Sequence, residues 1–476
     1  MQTDAPQKTP LKGWLPLALV FAVVAVALRL VALAFDRTDL FVDEVQYWFW
    51  GQNLDFGYYS KPPLIGWVIR LATDLADSDA AFWVRMPGAV LHGITALLLG
   101  ALAARVQGRA AALWTVAIYL SLPFVALGSV MISTDTVMAP FYAAALLFFF
   151  RTAETRRAGD ALAVGLFAGF AFMAKYAGIY FLVGSALVML SQPALRPGWR
   201  NLGLMILAFA VVISPNVLWN LSHDLTTVSH TMDNAGWVRD GAAFDLGSLA
   251  TFLASQFGVF GPVTMGALIL AYLRPHGGLR PALVLFSLPA LVVVSVQALL
   301  DQAYANWAIA TYFAGTVLAV TVMTRFWRIV ALSLNLVLAL SLPVLIVLAP
   351  WPEIGGKPVL ERYLGRHALS ESILDLAEAE ELPVVTGNRD ILADLFYTGR
   401  DRDVALYAMP EIGRASSYYA QNQALPDSIT GEVLVVVTGT LPCDAAPLEG
   451  LDLRGIYAGR RVKIGRAAAE CLRETP

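Results

Sequence analysis

Residues 41–67, FVDEVQYWFWGQNLDFGYYSKPPLIGW, gather the side chains of this sequence best suited to chemistry. Asp43 and Glu44 are adjacent carboxylates, and a carboxylate can take a proton from a hydroxyl as that hydroxyl attacks. Lys61 precedes Pro62 and Pro63, which restrict the backbone that carries its ammonium group. Between them lie Tyr47, Trp48, Phe49, Trp50, Tyr58 and Tyr59, residue types that collect where a membrane meets water. A proton acceptor, a fixed cation and interfacial aromatics suit group transfer at a membrane surface. The rest of the chain must supply the elements that hold such a site.

Of 476 residues, 58% are hydrophobic and 14% charged, against about 45–50% and about 25% in an ordinary soluble domain. That excess points to membrane spans. The net charge of −3 gives no basic surface for nucleic acid. No GxGxxG or GxxxxGK[ST] stretch supports a nucleotide-phosphate loop. The two cysteines, Cys443 and Cys471, form neither a CxxC pair nor a four-cysteine zinc site.

Eleven apolar runs read as spans: Trp14 to Phe35, Phe82 to Ala104, Ala110 to Thr134, Thr136 to Phe150, Ala161 to Ala174, Tyr176 to Leu190, Asn201 to Trp219, Leu246 to Leu273, Pro281 to Leu300, Gln302 to Thr324 and Ile329 to Pro350. The first is read as an uncleaved span. With the N-terminus in the cytoplasm, every connector then on that side carries at least two basic residues, as in Arg151, Arg156 and Arg157. The opposite side is sparser in arginine and lysine. It holds the loop 36–81, Asp135 in ISTDTV, Lys175 in MAKYAG, the sequence NVLWNLSHD from Asn216 to Asp224, and Asp301 to Trp307. Ionisable groups at membrane depth are costly and mark function, although Asp135 also suits a helix N-cap and Lys175 an interface anchor. His223 reads as structural, because no metal-binding spacing surrounds it.

An odd number of spans exports the C-terminus. Residues 351–476 are richer in charge and read as a small α/β domain, with strands at Leu382–Thr386 and Glu432–Val437 and helices at Arg389–Tyr397 and Ile412–Ala420. Exported cysteines can oxidise, so a Cys443–Cys471 disulfide is expected. Outside the cytoplasmic membrane there is no pool of nucleotide sugars, and an activated group must arrive on a lipid. A lysine can hold the lipid phosphate and offset the charge it gains on leaving.

The combination DExxYWxW, GYYSKPPL, STD, AKYAG, SPNVLWN and YANW resembles the bacterial members of glycosyltransferase family 39. These are protein O-mannosyltransferase-like, C-type membrane glycosyltransferases, related to the lipid A aminoarabinose transferases and the rhizobial lipopolysaccharide galacturonosyltransferases. The resemblance implies a mainly α, polytopic membrane fold: a transmembrane glycosyltransferase domain over 1–350, with outer-face helices in the loop 36–81, and an α/β periplasmic domain over 351–476. It implies a polyprenyl-phosphate sugar donor, a glycan, lipid or protein acceptor, inversion at the anomeric carbon, and a site facing the periplasm. It places Asp43 as general base with Glu44 beside it, Asp135 as the acid after the third span, and Lys61 and Lys175 at the donor phosphate. Tyr59, Arg85, Asn220, His223 and Trp307 complete the expected substrate-binding set. Some relatives carry an acid before the lysine of the KP motif; here Ser60 stands there, which argues against a metal. No cofactor is expected. The competing reading is a transporter or flippase of a lipid-linked sugar, which calls for inverted repeats and broken midplane helices; no repeat is present.

Overall fold

A computed structural model describes residues 13–234 and 244–474 of the chain; the stretch 235–243 of the long connector lies outside the described residues. The apolar runs fold as helices. Among the described residues, six are long and apolar enough to cross a membrane: Leu15–Ala34, Ala81–Gln107, Thr134–Thr155, Trp199–Ser222, Arg280–Leu300 and Arg325–Leu348. The shorter apolar helices Ala158–Ala174, Tyr176–Ser191 and Ala310–Val322 stand with them. The chain is thus a mainly helical, multi-pass membrane protein.

Two of the eleven expected spans split into separate α-helices. The run from Ala110 breaks at Pro123: one helix ends at Ser121, and a short helix, Pro123–Gly128, follows. Proline has no N–H to donate and pushes the residue before it out of the helical region, and Leu122 accordingly has ψ 140°. The run from Leu246 is two helices, Leu246–Phe260 and Pro262–Leu273, at 113° to one another. The hinge is Gly261, at φ +81°, where a Cβ would lie 2.2 Å from Asn335 Oδ1; only glycine fits that approach. A count of eleven straight crossings is therefore not what the fold displays.

Thr134–Thr155 is the central helix, with 78% of its apolar window buried. It packs on Ala158–Ala174, Ala81–Gln107 and Ala310–Val322. Small residues such as Ala143, Ala144 and Ala145 let neighbours approach, which matters because lipid supplies no hydrophobic drive between helices. At one end of this bundle the helices Val42–Gln52 and Leu64–Ala76 lie within the connector between the first two long helices.

The C-terminal region holds a five-stranded sheet, in the order Leu406–Ala408, Val384–Thr386, Glu432–Thr438, Val462–Ala468, Ala446–Leu448. The first three strands are parallel and the other pairings antiparallel. Along Glu432–Thr438, Leu434 and Val436 join one apolar cluster and Val433 and Val435 another, so the strand is buried on both faces. The expected helix Arg389–Tyr397 runs Arg389–Thr398. The expected helix Ile412–Ala420 is a loop followed by a short helix, Tyr418–Asn422, because Gly413 takes φ +92° and Ser417 caps the helix that starts after it. The helix Arg366–Glu380 and three of the five strands had no counterpart in the sequence reading. A disulfide joins Cys443 and Cys471, 28 residues apart; the loop-entropy contribution for that length is about 3–4 kcal/mol.

Asp394 is 3% exposed and accepts a hydrogen bond from Thr398 Oγ1 at 3.1 Å. Burial pushes its carboxyl up from 3.8 to about 6. The folded carboxyl therefore holds its proton more tightly than the unfolded one. Stability falls as pH rises between those two values, by about 3 kcal/mol in total. Asp394→Asn is expected to raise the melting temperature at pH 7.5 and to flatten the difference between pH 5 and pH 7.5. Melting curves on the full chain in detergent check this; a wild type whose pH dependence matches the variant's would refute it.

Candidate active site

The helix Val42–Gln52 is capped from within its first turn: Glu44 Oε2 accepts from the Phe41 backbone N–H at 2.9 Å. This turns Glu44 inward and Asp43 outward. Glu44 is 1% exposed and its other oxygen accepts from Ile132 N at 2.9 Å. Arg85, also 1% exposed, donates to Glu44 through Nη2 at 2.7 Å and to Asp36 through Nη1 at 2.6 Å, with Thr38 Oγ1 and Asp39 O as further acceptors. Glu44 and Arg85 were expected in the catalytic and substrate-binding sets. They are instead each other's buried partners, with their hydrogen-bonding groups taken by protein. Their position has a consequence for the neighbours: Glu44 ties the residue after Asp43 to Ile132, three residues before Asp135.

Ser133 is the N-cap of Thr134–Thr155, its Oγ accepting from Thr136 N at 3.3 Å, so Asp135 is not the cap. Asp135 is 5% exposed. Both of its oxygens accept from Lys175 Nζ at 2.8 Å, and Asn306 Nδ2 donates to Oδ2 at 3.3 Å. Lys175 is extended, φ −157° and ψ 134°, at the break after Ala158–Ala174, which frees its side chain from the helix.

Asp43 is half-buried. Its Oδ1 accepts from Arg389 Nη2 at 2.6 Å, and Arg389 Nε donates to Gln46 Oε1 at 2.8 Å. Lys61 is half-buried and makes no side-chain hydrogen bond or ion pair among the described residues. Burial lowers the pKa of its ammonium from the usual value and Lys175 lowers it further, while Asp43 and Asp135 pull it back up. Two ion pairs, Asp135–Lys175 and Asp43–Arg389, thus supply the four charges that act on Lys61. Tyr47, one turn beyond Asp43 on the same helix, belongs with them. Burial, with Asp43 adding to it, holds its hydroxyl well above the ordinary value, so it remains a neutral donor.

The remaining expected residues divide. Tyr59 donates from its OH to Ala415 O at 2.9 Å and lines a cavity of about 410 Å³ with Thr226, Glu411, Arg414 and Gln421. Asn220 is buried, donating to Asn216 O at 3.0 Å and Tyr176 OH at 3.2 Å. Asn216 in turn donates to Phe56 O at 2.7 Å, so this cluster braces Tyr176, next to Lys175, against the loop that carries Lys61. His223 is exposed and spent on the end of its own helix, stacking on Trp219 at 4.1 Å and bonding Trp219 O at 2.8 Å. Trp307 is half-buried against Tyr304; its neighbour Asn306 is the residue that reaches Asp135. Among the described residues, no three metal-ligating side chains gather. The sequence did not mark Arg389 or Gln46, and it gave Asn306 only as one of the outer-face polar residues. Asn306 lay inside the YANW motif, but Arg389 stands in a charge-rich tail with nothing to mark it.

Residues 60–219 match the family described as dolichyl-phosphate-mannose-protein mannosyltransferase. The chain is 42% identical over 458 residues to the lipid A galacturonosyltransferase RgtD of Rhizobium johnstonii, covering 93% of this chain and 96% of RgtD. Its fold is similar to that of ArnT from Cupriavidus metallidurans, solved in the apo state (TM-score 0.65, 14% identity) and bound to undecaprenyl phosphate (TM-score 0.67, 15% identity), each covering 96% of this chain and 99% of the other. The paired acids and lysines thus sit in a chain that belongs, with RgtD, to the C-type membrane glycosyltransferases related to family 39.

Proposed function

We propose that the protein transfers a sugar from a polyprenyl phosphate to an acceptor hydroxyl at the periplasmic face of the inner membrane, with inversion. The observation that carries this reading is the cluster of Lys61, Lys175 and Arg389 around Asp43 and Asp135. In the step, Asp43 removes the proton from the acceptor hydroxyl as that oxygen bonds to the anomeric carbon. The bond from that carbon to the phosphate oxygen breaks, and its electron pair leaves with the lipid phosphate. Lys61, whose ammonium has no hydrogen-bonding or ion-pair partner among the described residues, neutralises the charge that grows there. Lys175, held by Asp135, supplies a second cation to the same phosphate.

The likeness to RgtD supports lipid A as acceptor and galacturonic acid as the sugar. A donor of that kind carries a phosphodiester and a carboxylate, which suits the two lysines, Lys61 and Lys175, that face it. The cavity beside Tyr59, with Arg414, Glu411 and Gln421 on its wall, is wide enough to receive the acceptor's sugar headgroup. The distribution of arginines between connectors and the disulfide support a periplasmic C-terminal region.

Purified protein given radiolabelled polyprenyl-phosphate galacturonic acid and lipid A tests this. Label on lipid A matched by released polyprenyl phosphate is the expected result. Movement of intact donor across vesicles without release would replace the enzyme with a flippase.

A further inference from the structure

The helix bearing Asp43 is gripped by the C-terminal region. Phe396 packs on Phe49 at 4.6 Å, and Tyr397 meets Trp48 edge-on at 5.0 Å. The Tyr397 hydroxyl donates to Asp79 O at 2.7 Å, the Asp39 N–H to Tyr363 O at 2.9 Å, and the Arg366 N–H to Asp39 Oδ2 at 2.7 Å. These contacts fix where the helix Arg389–Thr398 begins. Asn388 caps that helix, its side chain accepting from Asp390 N and Ile391 N, so Arg389 leaves the first turn in a set direction.

Arg389 then spans one face of the helix below it. Asp43 and Gln46 are three residues apart, hence neighbours on that face. The guanidinium takes both: Nη2 to Asp43 Oδ1 at 2.6 Å and Nε to Gln46 Oε1 at 2.8 Å. Gln46 is 3% exposed and cannot swing, so it fixes the plane of the fork. The Asp43 side chain, 48% exposed, has no other side-chain anchor among the described residues. Left alone it would sample its staggered rotamers. With Oδ1 held, Oδ2 is the oxygen turned to an incoming hydroxyl.

We propose that Arg389 is a positioning residue for sugar transfer, supplied by the C-terminal region, which thereby completes the active site. The inference rests on Asp43 being the base. The proton passes from the acceptor hydroxyl to Asp43 Oδ2, while the guanidinium stays protonated throughout. Arg389 therefore acts through Asp43, and its loss slows the chemical step without weakening the hold on the donor. A lysine reaches one partner and not both, because it lacks the planar fork.

The test compares Arg389→Ala, Arg389→Lys and Asp43→Asn in the full chain, with kcat and the donor KM measured separately. Arg389→Ala is expected to lose about 10–100-fold in kcat with an unchanged donor KM and a chain that stays folded, since the aromatic and backbone contacts remain. Arg389→Lys falls between it and wild type, and methylguanidinium added to Arg389→Ala restores part of kcat. Wild-type kcat in Arg389→Ala, or a rise in donor KM alone, overturns the inference. An active Asp43→Asn removes the base reading and this one with it; an inactive Asp43→Asn beside a fully active Arg389→Ala removes only this one. Should Arg389→Ala fail to fold, Gln46→Ala carries the test, because it loosens the fork and keeps the charge; an unchanged kcat there overturns the inference.

Discussion

Replacing Asp43 by asparagine is expected to lower turnover about 10²–10⁴-fold, the span that a positioned general base contributes, while the chain stays folded. The substitution preserves shape. Asparagine Oδ1 can still accept from Arg389 Nη2, now 2.6 Å from Asp43 Oδ1, so docking of the C-terminal region survives. What disappears is the ability to take a proton. Turnover is measured as release of polyprenyl phosphate from a labelled donor, with a melting curve on the same preparation. A folded Asp43→Asn with wild-type turnover would sink the assignment. A loss of both folding and turnover would instead show that the Asp43–Arg389 pair holds the regions together.

Lys61→Met is expected to separate activity from stability in the opposite sense to most charge deletions. Its ammonium has no hydrogen-bonding partner among the described residues to lose. Burial, then Lys175, lowers its pKa below the usual 10.5 in the folded chain. The folded state therefore holds its proton less tightly than the unfolded one. Wild-type stability should rise with pH between the depressed folded value and 10.5, and at pH 7 the charged lysine costs stability. The methionine variant should melt no lower than wild type at pH 7 and lose that rise. Turnover should nevertheless fall about 10²–10³-fold, the usual effect of removing one group that stabilises transition-state charge. Lys175→Met is the informative contrast. It strands Asp135, 5% exposed, without its ion-pair partner, and leaving a buried charge unpaired costs about 3–5 kcal/mol. A Lys61→Met protein that melts as low as Lys175→Met would mean that Lys61 has a structural partner, and an active one would remove it from the phosphate.

Asp43, Lys61, Asp135 and Lys175 stood out in the sequence for one physical reason: charge near hydrocarbon is costly, so each acid or lysine between apolar runs is conspicuous. The same contrast is absent in the C-terminal region. Charged side chains are ordinary there, and Arg389 reads like Arg400 or Arg402, which serve local ion pairs with Asp401 and with Glu371, Asp375 and Glu378. Hydropathy also passed over the breaks at Pro123 and Gly261. An average along the chain sees apolar residues on both sides, whereas the break itself is tolerated because neighbouring helices, not lipid, surround it.

Glu44 marks the boundary between the two kinds of knowledge. Sequence alone determined that two adjacent acids stand beside a membrane, and that a Lys-Pro-Pro turn follows. It determined the family, through motifs spread over most of the membrane part. The resemblance named Asp43 as the base, but it gave Glu44 no role of its own, because adjacency makes the two equivalent on paper. A helix turns about 100° per residue, so one of the two had to face the core and the other the open side. Which did so was decided by tertiary structure, by Arg85 arriving from the helix Ala81–Gln107 and Ile132 from farther along the chain. The same level decided that Arg389, some 340 residues along the chain, sits on the carboxylate that remained outside. Such a pairing depends on how two regions dock, and docking follows from aromatic surfaces such as Phe49 on Phe396 that carry no address in the linear chain.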